Sequence, residues 1–288
     1  MKLALGTVQF GLDYGISNSS GKVEESEVLE ILKLAKDSGV DVLDTAYAYG
    51  ESEQVIGKHL KSHPSDFKVI SKVPDCNFDS VEIFVDESLK RLQLKKLYGY
   101  LFHNFQIYKK NPFALAELNH LKNVGKIEKI GFSLYYPSEL EEIIDGKITC
   151  DIIQIPYSLF DQRFESYLRM AKEHGIEIHA RSVFLQGLVF KNPRGLDLQF
   201  EGIRAKLEKL NALSKNTKMP VSALALNFAI LNQYIDKVVI GVDSRDNLRE
   251  NISDCSLSDQ VIKLLPELKK MREDDLNIIL PVNWRSKQ

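Results

Sequence analysis

Short apolar runs and longer amphipathic runs alternate along this chain, and that alternation restricts its fold more than any other feature. LALGTVQF, VDVLDTA, FKVISKV, LYGYLFHN, IEKIGFS, CDIIQIPYS, IEIHARSVF and KVVIGV each have the length and apolar content of a buried strand. The segments between them carry apolar residues at helical spacing. Val28, Ile31, Leu32 and Ala35 fall on one helix face, and Gly39 stands where that helix ends. Pro112 and Pro137 suit the first turns of two further helices, and Gly146 closes the second. Helical runs over 201–214 and 221–232 precede the eighth strand, and a last helical stretch covers 245–273.

Eight strands, each followed by a helix, predict an α/β fold of the (β/α)8 TIM-barrel type, which runs to about 250 residues. The 288 residues fit one such barrel as a single domain over 1–288, with no Gly-, Ser- or Pro-rich linker to divide them. A doubly wound sheet is the competing arrangement, but the first strand–helix turn has no G-x-G-x-x-G run.

Composition narrows the partners. A net charge of −2 offers no broad basic surface, so neither nucleic acid nor an anionic membrane is expected. There is no run of about 18 apolar residues to span a bilayer, and MKLALGTVQFG is too short for a signal-peptide core. Cys76, Cys150 and Cys255 form no C-x-x-C pair, which argues against a disulfide framework or a structural zinc site. A reducing compartment fits, and the cytoplasm is the expected location. No two histidines with nearby carboxylates have metal-ligand spacing, so no metal is expected. His179 alternates with apolar residues and reads as a core residue.

In this barrel, reactive groups sit at the C-terminal ends of the strands. Asp44, Lys72, His103 and Ser133 end the second to fifth strands, Gln154 lies on the sixth and Arg181 on the seventh. Three neighbouring strands thus bring Asp44, Lys72 and His103 to one mouth, with Tyr49 in the loop beside it. An ordinary phenol titrates near pH 10, to within about a unit, and a nearby ammonium lowers that value. Lys72, held by Asp44, is expected to tune Tyr49 in this way. The result is a general acid beside a carbonyl that His103 can hydrogen-bond. No side chain donates a hydride, so a cofactor has to. Two other uses stay open: a lyase with Lys72 as Schiff-base amine, and a cofactor-binding sensor with slow turnover. Ser133 and Ser182 have no nucleophile-elbow motif, which argues against a serine hydrolase.

DTAYAYGESE, residues 44–53, resembles the D-T-A-x-x-Y-G-x-S-E motif of aldo-keto reductases. The resemblance runs from LGTVQFG, which contains Thr7, through KIGFS and QIPYS to IGVDSRDNLREN, and is that of a short bacterial-type member. It implies NADPH-dependent reduction of an aldehyde or ketone, with Asp44, Tyr49, Lys72 and His103 as the catalytic set and Tyr49 as proton donor. It further implies a cofactor site that includes Thr7, with Ser133 and Gln154 on the nicotinamide carboxamide. Arg181 and Phe184 would lie at the ring, and Gln186 and Gly187 in FLQG at the pyrophosphate. Gly241, Arg245, Glu250 and Asn251 would hold the adenosine end, with Arg245 reaching a 2′-phosphate; NADH remains possible. The chain departs from the family at Leu134 (an Asn in relatives), Arg181 (a stacking aromatic) and Asn247 (a basic residue).

For the substrate pocket, Tyr14, Tyr47 and Tyr135 are the candidates, with Tyr157 and Arg163 on a rim that suits a sugar or another hydroxylated carbonyl. The tail ends at LPVNWRSKQ without a long closing loop, and Trp284 is expected to pack on the barrel. A small carbonyl compound is the expected partner, and a monomer the expected state.

Overall fold

A computed structural model describes residues 1–16 and 21–284; residues 17–20 and the last four residues of the tail lie outside the described set. Eight parallel strands close into a barrel in sequence order. They are β1 Leu3–Gly6, β2 Val42–Asp44, β3 Lys68–Val73, β4 Leu97–Phe102, β5 Ile127–Ser133, β6 Ile152–Pro156, β7 Glu177–Arg181 and β8 Lys237–Gly241. Closure comes from β8 pairing with β1, Leu3 opposite Val238 and Gly6 opposite Gly241.

Helices α1 Glu25–Asp37, α2 Ser52–Ser62, α3 Glu82–Leu92, α4 Phe105–Lys110, α5 Phe113–Asn123, α6 Pro137–Asp145, α7 Leu168–Glu173, α8 Arg204–Thr217, α9 Val221–Ile230 and α10 Arg245–Cys255 connect or follow the strands. The apolar face foreseen for α1 is the buried one: Val28, Ile31, Leu32 and Ala35 are all buried. Three boundaries differ from expectation. β1 stops at Gly6 and continues as a 3-10 turn over Val8–Phe10, which carries Gln9 toward β8. A separate short helix, α4, precedes α5, capped by the Asn104 side chain accepting from the Ile107 N–H at 3.0 Å. The stretch over 245–273 breaks after Cys255, and again around a 3-10 turn, Ile262–Leu264, just ahead of Pro266.

Strand alternation sorts the interior into levels. Successive side chains point to opposite faces, so Lys68, Ile70 and Lys72 of β3 all face inward, as do Glu177, His179 and Arg181 of β7. At mid-height Ala4, Val42, Ile70, Leu101 and Ile152 form an apolar plug of their own, separate from the larger core between strands and helices. Below it, at the N-terminal end, charged groups satisfy one another. Tyr98 donates to Glu177 Oε2 at 2.8 Å, Lys129 donates to the Tyr98 hydroxyl at 2.8 Å and pairs with Glu177, and His179 Nε2 lies 2.6 Å from Glu177 Oε1. Lys68 and Lys237 both meet Asp41. Above the plug lies a cavity of about 970 Å3.

Candidate active site

The loops after β2, β3 and β4 meet over a buried ion pair. Lys72, with no exposed surface, donates from Nζ to Asp44 Oδ2 at 2.8 Å and to the Thr45 carbonyl at 2.7 Å. Asp44 Oδ1 accepts from Gln154 Nε2 at 2.8 Å. Tyr49 covers the pair, its ring centroid 5.0 Å from the Lys72 ammonium, and the His103 ring packs edge-on against it at 5.5 Å. The four groups expected at one mouth are therefore in contact.

Local backbone puts Tyr49 there. Its N–H closes a turn onto the Ala46 carbonyl at 3.0 Å, and Gly50 follows with φ 55°. A Cβ on Gly50 would fall 2.5 Å from the Gly11 carbonyl oxygen, and one on Gly11 would fall 1.8 Å from the Tyr49 oxygen. Two glycines thus let the loop after β1 touch the loop after β2 backbone to backbone. Ser52, at the start of α2, donates to the Thr7 carbonyl at 2.9 Å and also meets the Thr7 and Thr45 hydroxyls.

Electrostatics differ from the expectation in one respect. Burial and the Asp44 charge hold the Tyr49 phenol well above its ordinary value, and Arg181 opposes them. The Lys72 ammonium was expected to lower it, but that ammonium is committed to Asp44 and Thr45 and faces the ring, not the hydroxyl. Burial lowers the Lys72 value while Asp44 raises it. Burial, with Lys72 and Arg181 nearby, pushes the His103 imidazole down to about 3, so it is neutral at physiological pH. A Lys72 that is fully buried and already donating to two oxygens is a poor Schiff-base amine, which argues against the lyase.

From this mouth the cavity runs past the ends of β5, β6 and β7 to β8 and the start of α10. Thr7, Tyr14, Asp44, Tyr49, His103, Ser133, Tyr135, Gln154, Arg181, Phe184, Gln186, Gly187, Gly241, Glu250 and Asn251 all line it. The Thr7 hydroxyl, however, is turned to the Asp44 carbonyl at 3.1 Å. Arg181 lies with its guanidinium 4.6 Å from the Tyr135 ring centroid and donates to the Leu134 carbonyl at 2.9 Å. The Leu134 side chain is itself buried, so the residue meets this arginine through its backbone oxygen alone. The loop after β7 is left-handed at three non-glycine positions, Ser182, Leu185 and Gln186, a conformation that clusters at binding sites.

Several expected residues stand elsewhere. Tyr47 does not line the cavity. Its hydroxyl donates to Glu87 at 2.7 Å and its ring carries the Arg91 guanidinium at 4.1 Å. Arg245 does not line it either; Nη1 donates to Glu30 Oε2 at 3.2 Å on α1. Tyr157 is buried against Phe228, and Arg163 is held by Asp161. Trp284 donates to the Ile278 carbonyl at 3.0 Å and packs on Phe200, tying the tail down as expected. Among the lining residues that the sequence reading did not single out are Gln9 and Asp243. Asp243 is a carboxylate just past a strand end, the signal that singled out the others.

A parallel eight-stranded barrel with Asp, Tyr, Lys and His gathered at its C-terminal mouth defines a class. The chain belongs to the aldo/keto reductase family, whose model matches residues 2–270. It is an oxidoreductase of that family, which carries out nicotinamide-dependent reduction of small carbonyl compounds. An uncharacterized oxidoreductase, YqkF of Bacillus subtilis, is 25% identical, the match covering 92% of this chain and 95% of that one. The NADH-specific methylglyoxal reductase of Escherichia coli is 25% identical over 94% of this chain and 95% of its own. Among solved structures, the aldo-keto reductase AKR11C1 from Bacillus halodurans superposes with a TM-score of 0.77 at 23% identity, over 96% and 95% of the two chains.

The residues present fit a nicotinamide dinucleotide. The cavity is at the upper end of ordinary ligand-pocket volumes. Buried polar atoms around it lack partners among the described residues: Gln9 Oε1, Arg181 Nε and Asp243 Oδ1. Gly241 leaves room that a Cβ would take from Gln9, 2.6 Å from its Nε2.

Proposed function

We propose that this chain is an NAD(P)H-dependent reductase of a small aldehyde or ketone, with Tyr49 giving the proton to the carbonyl oxygen. The observation that carries the reading is the Tyr49 ring resting on the buried Lys72–Asp44 pair, beside a neutral His103, at the mouth of the cavity. When bound, the cofactor supplies the hydride; Ser133, Gln154 and Arg181 would hold its reactive end. The protein's own part is protonic. Tyr49 keeps its proton until charge develops on the substrate oxygen, because burial disfavours the free phenolate. The Lys72 cation, fixed by Asp44, then stabilises that phenolate through the ring. His103 hydrogen-bonds the substrate oxygen and orients it.

Tyr14, Tyr135 and Gln186 give the cavity a polar, aromatic side, with Gln186 Nε2 donating to the Tyr14 hydroxyl at 2.8 Å. That supports a hydroxylated carbonyl such as a sugar-derived one. The Escherichia coli relative supports a small aldehyde. All the proposed site groups lie on one chain with a closed sheet, which supports a monomer. Three free cysteines suit the cytoplasm.

The test is Tyr49→Phe assayed against a panel of aldehydes and sugars. We expect kcat to fall by about 10²–10⁴, the range for a lost general acid, with nucleotide affinity retained. Full activity in the variant would remove Tyr49 from the role.

A further inference from the structure

The strand-8 end of the cavity is lined by carboxylates. Asp243 and Glu250 line it, and among the described lining residues the one permanent cation is Arg181, at the end of β7. Asp243 Oδ1 is buried without a hydrogen-bond partner. Burial and the facing Asp13 charge both raise the Asp243 carboxyl above its ordinary value, a sign that no cation serves it. The arginines close by in sequence are turned to other carboxylates, although Arg245 Nε has no partner among the described residues. The Arg245 N–H donates to Glu27 Oε1 at 2.6 Å and its guanidinium to Glu30 Oε2 at 3.2 Å, both on α1; Arg249 pairs with Asp246.

A 2′-phosphate would add close to two negative charges beside these carboxylates. A free 2′-hydroxyl would instead bring a donor to an acceptor that has none. We infer that this chain takes the dinucleotide with the free ribose diol, NADH, in preference to NADPH, and that Asp243 selects it by accepting from the adenosine ribose. The inference rests on the reading that the reactive ring lies at Tyr49. The loop after β7 then receives the diphosphate, and the adenosine ribose falls at the strand-8 end, beside Asp243. It reverses the part that resemblance gave Arg245.

The experiment is a pair of fluorescence titrations of the full chain, with NADH and with NADPH, in the wild type and in Asp243→Asn. Asparagine keeps the size and removes the charge, and a thermal melt checks that the variant is folded. We expect NADH to bind at least about ten-fold tighter in the wild type, the factor of one charge-assisted hydrogen bond. In Asp243→Asn, NADH should weaken and NADPH tighten, so that the preference collapses. Equal or tighter NADPH binding by the wild type would overturn the selection while leaving the reductase reading intact. An NADH preference unchanged in Asp243→Asn would overturn the assignment to this residue. Failure of the wild type to bind either nucleotide at millimolar concentration would overturn both readings.

Discussion

The two ends of the barrel are made from the same residue types on the same strands, yet only one of them is a site. β3 contributes Lys68 below and Lys72 above; β7 contributes Glu177 below and Arg181 above. At the lower end the charged groups are paired with each other, although His179 Nδ1 has no partner among the described residues. Burial alone would raise the Glu177 carboxyl, but hydrogen bonds from His179 and Lys129 outweigh it and hold it well below its ordinary value. At the upper end the Lys72–Asp44 pair is closed in the same way, but Gln9 Oε1, Arg181 Nε and Asp243 Oδ1 keep capacity that no described neighbour uses. A perturbed pKa marks both ends. Each end also keeps a buried polar atom without a partner, but those of the upper end belong to residues that line the cavity.

That contrast can be broken first at its strongest point. Lys72→Met should abolish most activity and also destabilise the fold by about 3–5 kcal/mol, because it leaves the Asp44 carboxylate buried without its cation. Urea denaturation measures this, and the double variant Lys72→Met, Asp44→Asn should regain much of the stability but none of the activity. Recovery of activity would undo the contrast.

The lower end should behave in the opposite way. Glu177→Gln is expected to cost about 2 kcal/mol, as the Lys129, Tyr98 and His179 partners lose the charge and one of the two accepting oxygens of the carboxylate they share. Its kcat and nucleotide affinity should match the wild type, and a fall in kcat without loss of stability would mean that the ends communicate.

The smallest effect concerns His103, whose value of about 3 lies well below the ordinary 6.5. Between those two values the unfolded chain takes up a proton that the folded chain refuses. The stability gained by keeping the ring neutral is therefore full above the ordinary value and lost as pH falls toward the folded one. His103→Gln should lose less stability than the wild type between about pH 7 and about pH 4.5. Equal losses in urea titrations at the two pH values would show that the ring is not buried as a neutral group.

The sequence carried the barrel because strand alternation and helical spacing are local signals, and strand ends then located Asp44, Lys72 and His103. It misjudged what depends on partners far along the chain. Arg245 was expected to reach the cofactor until α1 supplied Glu30 to its guanidinium across more than two hundred residues of sequence. Tyr47 and Tyr49 are two residues apart in one loop, and only the tertiary turn through Gly50 decides which phenol faces the cavity. The direction of the Tyr49 shift was unreadable for the same reason: Lys72 had been assigned to the phenol, and the folded chain gives it to Asp44 and the Thr45 carbonyl.

The depressed value of His103 has a consequence for reversibility. An imidazolium can only donate, so it would favour a carbonyl oxygen and repel the hydrogen of an alcohol. A neutral ring has one donor nitrogen and one acceptor nitrogen, and a change of tautomer swaps them. It can therefore hydrogen-bond either side of the reaction equally well. In the reductase proposed here, the same ring can then serve both directions of turnover, and which one runs is set by the concentrations of carbonyl, alcohol and nucleotides around the protein.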